Sequence, residues 1–155
     1  MNKYLYIILI LTNNFFLLAS PKDLLEIKEA DSFHTQYESF YLKIDSSLSK
    51  IFEQQKLLCS KELLFEWRKA YIERELYYTS KNLSEKKQHL EQAIIYLQAS
   101  TDKIDSPFVD MLFAHSLSIN YYDLGVVTKD LYLQYVGSEE EEEEEEEDHD
   151  LDYLS

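Results

Sequence analysis

From Ala30 onward, apolar side chains return at Phe33, Tyr37, Phe40, Ile44, Leu48 and Ile51, in steps of three or four residues. That is the period of one helix face, and it predicts a long helix from about residue 21 to 57. Ser20-Pro21-Lys22-Asp23 reads as its start. Ser20 is placed to accept from the Asp23 N–H, Pro21 suits the first helical position, and Asp23 favours the positive helix end. Such a face needs a partner, either later helices or a second copy, so self-association through the 30–51 face is an expectation.

Ser60 is set to cap the next segment, "KELLFEWRKAYIERELYY". Leu64, Trp67, Tyr71 and Tyr78 form one stripe of it, with Leu63, Ala70 and Tyr77 alongside. Apolar on both sides, this helix is expected to lie between neighbours. "TSKN" interrupts the pattern, which resumes from Leu83 to Ser100 through Leu90, Ala93, Ile94 and Leu97. Ser106-Pro107 repeats the start signal and opens "FVDMLFAHSLSINYYDL". Gly125 stands where a left-handed terminator would. A last short helix follows Thr128, with Leu131, Tyr132 and Tyr135 as inward positions. No stretch sustains the two-residue alternation of a half-buried strand. The expected class is all-α, a helical bundle or short α-solenoid of four to five helices.

Composition narrows this further. A chain of 155 residues with 45% hydrophobic content suits one domain with a real core. Two glycines and two prolines leave few tight turns, which disfavours sandwiches and βαβ folds. Ahead of the helices, "MNKYLYIILILTNNFFLLAS" has a basic start at Lys3, an apolar core, and small Ala19 and Ser20. The unbroken stretch Tyr4 to Leu11 is shorter than the ~20 residues that span a bilayer. It reads as an export signal cut after Ala19, giving a periplasmic or secreted protein. The alternatives are an anchor formed by residues 4–19 and an apolar first helix packed into the domain.

The net charge of −15 is unevenly placed. Twelve of the thirty acidic residues fall in 139–155, where no Lys or Arg occurs, so residues 1–138 carry 18 acids against 15 bases. The body is nearly neutral and has no basic stripe, which argues against nucleic acid as a partner. Glu139 to Glu147 repel one another, so 137–155 is expected to be a disordered acidic tail, behind the helical domain 20–136. Such a tail reads first as a solvated, solubilising segment with no specific partner; the alternatives are long-range attraction of basic proteins and weak cation binding.

Candidate chemistry is sparse. Cys59 is the single cysteine, which excludes an internal disulfide and a Cys-based zinc site, and it reads as a small buried residue between two helices. Gly125 and Gly137 stand apart, so no phosphate-cradling loop exists. His34 lies four residues before Glu38, and His89 four after Glu85. Either pair could offer two metal ligands, but a site needs three or four, and both read more simply as surface pairs. His115 is expected to be half-buried and hydrogen-bonded. Asn82-Leu83-Ser84 fits the N-glycosylation pattern. No catalytic, cofactor or metal site is assigned, and the expected protein is not an enzyme.

Two segments, "YYTSKNLSE" at 77–85 and "YYDLGVVTK" at 121–129, share a Tyr pair, a helix-breaking stretch and a cap, Ser84 or Thr128, at a spacing of 44 residues. "AHSLSINYYDLG" at 114–125 resembles the first helix of a tetratricopeptide repeat through Ala114, Leu117-Ser118, Tyr121 and Gly125. "EQAIIYLQAS" at 91–100 resembles its second helix. The spacing exceeds that family's roughly 34 residues, and Asp130 replaces a small residue. The resemblance implies helical hairpins with a concave surface that binds peptides or proteins. Thirteen tyrosines fit rims and interfaces. The candidate contact residues are therefore Tyr77, Tyr78, Tyr121, Tyr122, Glu139, Glu143, Glu147, Asp150 and Tyr153. The expected function is an exported protein that works through protein–protein contact; the alternatives are a membrane-tethered accessory protein and a weak cation binder.

Overall fold

A computed structural model describes residues 20–152, with side chains through Glu139. The apolar leader and Tyr153 lie outside the described residues. Six α-helices follow in order: α1 (Pro21–Leu24), α2 (Ala30–Ile44), α3 (Leu48–Leu58), α4 (Lys61–Thr79), α5 (Leu83–Gln98) and α6 (Pro107–Asp152), with a 3-10 turn at Thr101–Lys103 before α6. The protein is all-α, with bundle-like packing and no strand among the described residues. None of these helices is long and apolar enough to cross a membrane.

The first expected helix is three. Ser20 makes no side-chain cap; only its carbonyl accepts from Asp23 N–H, at 3.2 Å. Glu29 instead caps α2, its carboxylate accepting from the N–H groups of Asp31 and Ser32 at 3.1 and 2.6 Å. The second break comes at Asp45, whose backbone is extended and whose carboxylate accepts from Ser47 N–H at 3.0 Å and Ser47 Oγ at 2.6 Å. That local bond gives the chain an alternative to the helical ladder. The bend turns the helix face, so Phe33 and Tyr37 are buried as expected while Ile44 and Ile51 are exposed.

Ser60 caps α4 as expected, accepting from Leu63 N–H at 3.2 Å. The cap of α5 is Asn82 rather than Ser84: Asn82 Oδ1 accepts from Ser84 and Glu85 N–H at 2.8 and 3.2 Å. Leu90, Ala93, Ile94 and Leu97 are all buried. The three-residue link 80–82 folds α4 and α5 into a helical hairpin. In α6, Phe113 lies near Trp67, and Asn120 and Asp123 meet Arg74, so α6 runs in the direction of α4.

Gly125 does not end α6, and no glycine has positive φ. A helical glycine costs only about 1 kcal/mol relative to alanine. The turn beyond it buries Val127, which outweighs that cost. Thr128 is no cap either; its hydroxyl donates back to the Leu124 carbonyl at 2.7 Å. No separate last helix exists, and Tyr132 and Tyr135 point to solvent. Gly137 and Ser138 lie within α6, whose backbone continues to Asp152. Repulsion between glutamates four apart opposes that helix at neutral pH, which is the ground for expecting a mobile tail.

Two cores share α4. Leu24, Phe33, Tyr37, Tyr41, Phe52 and Ile72 form the first. The second joins Leu63, Leu64 and Ala70 of α4 to Ala93 and Leu97 of α5 and Val109 and Phe113 of α6, with Cys59 buried between α3 and α4. The expectation that α4 lies between neighbours therefore holds.

Candidate functional site

Arg68 is 1% exposed, on the apolar side of α4 between Leu64 and Ile72. A buried guanidinium must find charge and acceptors. Its Nη2 donates to Glu38 Oε1 and to Gln55 Oε1, both at 3.2 Å, its Nε to Gln55 Oε1 at 3.3 Å, and its Nη1 to His34 Nδ1 at 3.1 Å. The plane lies over Tyr37 and Phe52, 4.7 and 5.1 Å from the ring centroids. Burial draws the guanidinium pKa down and Glu38 opposes this; the group stays charged. Glu38 also accepts from Lys56 at 3.1 Å.

His34 is held in one tautomer. Its Nε2–H donates to the Lys61 carbonyl at 3.0 Å, leaving Nδ1 as acceptor for Arg68. Burial holds its pKa below the usual value of 6.5, and Arg68 adds to that, against the Lys61 carbonyl, Glu38 and Asp31. His34 and Glu38 are thus neither metal ligands nor a surface pair; both serve Arg68. The unfolded chain then takes up the His34 proton first as pH falls. Stability is present above about 6.5 and lost below it. Glu73, whose carboxyl burial pushes upward, acts in the opposite sense at lower pH. The urea midpoint is therefore expected to fall between pH 7.5 and 5.5, and His34→Gln should flatten that change.

Beside Arg68 lies a cavity of about 310 Å³ between α2, α3 and α4. Tyr37, Tyr41, Phe52 and Trp67 wall it, and half-exposed Ile51 and Tyr71 form its rim. Tyr41 donates its hydroxyl to Glu75. Tyr37 is 3% exposed, and its hydroxyl has no hydrogen-bond partner among the described residues. Burial raises the pKa of both phenols, so they are neutral donors at any ordinary pH.

The tyrosines singled out earlier divide. Tyr77 and Tyr78 lie with tilted rings 4.9 Å apart at the end of α4, where Arg74 bonds Tyr78 Oη at 2.6 Å, Asn120 at 3.1 Å and Asp123 at 2.7 Å. Tyr121 accepts from Gln98 Nε2 at 2.7 Å, and Tyr122 is exposed. Glu139 is exposed too, while the side chains of Glu143, Glu147 and Asp150 lie outside the described residues. His89 pairs with Glu73 of α4 at 2.7 Å, not with Glu85, which accepts from Ser80. His115 is exposed, since it faces away from α5. Among the described residues no three metal-binding side chains gather.

Arg68, Gln55 and the cavity were missed from sequence alone. The available signal was an arginine four residues from both Leu64 and Ile72 on an apolar stripe, a position that only a paired charge tolerates. No protein family model matches this chain, and neither a curated protein nor a solved structure shows significant similarity to it.

Proposed function

We propose that this chain is an exported, non-enzymatic helical protein that works by protein–protein contact through the outward face of α6. One observation carries the reading. Phe108, Met111, Ile119, Tyr122, Val126 and Leu133 are all exposed, with Tyr122 at 73%, and with His115 and Lys129 they advance in steps of three and four. They occupy one narrow side of the helix, opposite buried Val109, Phe113, Asn120 and Val127. An apolar row of that spacing is what a partner helix or groove recognises.

The tetratricopeptide-like segment, 77–135, contains this row and part of the α4–α5 hairpin, which supports a peptide- or protein-binding scaffold. The absence of an enzymatic role is inferred from occupied histidines: His34 serves Arg68 and His89 serves Glu73. Export rests on the composition of the leader. The acidic run would add long-range attraction for a basic partner that weakens with salt. Ile44 and Ile51 of the expected 30–51 face are exposed, and self-association through that face is the alternative.

Capture of partners from the exported fraction, with full-length wild type and Tyr122→Glu/Leu133→Glu as baits, tests the reading. Both sites are exposed, so the circular dichroism spectra should match. Partners lost from the double variant are the expected result. An identical partner set, or recovery of the untrimmed chain in the cytosol, would sink it.

A further inference from the structure

The cavity between α2, α3 and α4 has the makings of a small-molecule site, independent of the α6 face. Its volume of about 310 Å³ is at the lower end of the range of ligand pockets. Tyr37, Tyr41, Phe52 and Trp67 supply flat faces, which favour an offset-stacked ring over a flexible aliphatic chain. Charge is already matched at its wall: Arg68 is bonded to Glu38, Gln55 and His34, and Glu75 is taken by Tyr41. An ionic guest would find no free counter-charge there and would lose its hydration. The Tyr37 side chain lines the cavity, and its hydroxyl makes no hydrogen bond to another described residue. A phenol that spends no hydrogen bond on the described residues has its donor and acceptor capacity left for the polar group of a guest.

We infer that this cavity binds an uncharged, planar aromatic molecule of one or two fused rings carrying one hydrogen-bonding group, which pairs with Tyr37. Trp67 is the sole tryptophan of the chain and lines the same space. Its indole N–H gives a single resonance in an amide-correlation spectrum; because Trp67 also lines a smaller space with Leu97 and Asn120, the Tyr37→Phe comparison is what assigns a shift to this site.

Titration of the full-length protein with 2-naphthol, read at that resonance and by calorimetry, tests the inference. A saturable shift with Kd between roughly 10 µM and 1 mM is expected for a ligand of this size. Tyr37→Phe removes only the hydroxyl and should leave the fold intact. It should weaken 2-naphthol by roughly three- to tenfold while leaving naphthalene unchanged. An unmoved Trp67 resonance at 2 mM 2-naphthol overturns the site, whether or not heat is released elsewhere on the protein. Equal loss for both compounds, or loss for neither, overturns the hydrogen bond to Tyr37.

Discussion

Replacing Arg68 with methionine is expected to lower stability by about 3 kcal/mol, near the bottom of the 3–5 kcal/mol range for breaking a buried ion pair. The apolar stem of the side chain is kept, while the guanidinium plane over Tyr37 and Phe52 is removed. What is lost is the guanidinium, and with it the donors that satisfy Gln55 Oε1 and His34 Nδ1 and the charge that balances Glu38. Glu38 keeps Lys56 and is 20% exposed, which holds the loss to the lower figure. With a urea slope of about 2 kcal/mol per molar, the midpoint should move down by about 1.5 M. Adding Glu38→Gln to Arg68→Met should recover a large part of that loss, because the orphaned carboxylate then carries no charge. If the double variant is as unstable as the single one, the cost lies in packing and the electrostatic account is wrong.

The same residue shows where sequence reading stops. Periodicity locates α4 and α5 because their buried positions Leu64, Ala70, Leu90, Ala93 and Leu97 are apolar, and local chemistry locates Ser60 and Ser106-Pro107 because caps act within one turn. Arg68 depends on Glu38 and His34 at sequence separations of 30 and 34 residues, and no local rule contains that information. The misplaced breaks have the same origin. Gly125 is a stop signal by propensity, but burial of Val127 one turn on outweighs it. Asp45 is unremarkable by composition, and its bond to Ser47 decides where α2 ends. The cavity is a product of that bend: it arises where α3 is turned back to lie against α2 and α4, and an uninterrupted 21–57 helix would have no such concavity.

Phe113→Ala is expected to be the largest single loss in the second core, about 3–5 kcal/mol. Phe113 is 1% exposed, sits 5.2 Å from Trp67, and packs with Leu64, Ala93, Leu97 and Val109. The next hold on α6 is polar, the Arg74 bonds to Asn120 and Asp123. Those bonds are partly exposed and cannot replace a buried ring, since a net hydrogen bond contributes only about 1 kcal/mol. The loss should not stay in one half of the molecule. Leu63, Leu64 and Ala70 of α4 serve the second core while Ile72, with Phe65 and Leu76 packed beside it, serves the first, so neither core keeps its wall once α4 loses its order. Trp67 emission and far-ultraviolet circular dichroism should therefore fall together, at one lowered midpoint, in Phe113→Ala as in wild type. Two separated transitions, with helix content surviving the Trp67 change, would mean that α4 does not bind the two cores into one cooperative unit.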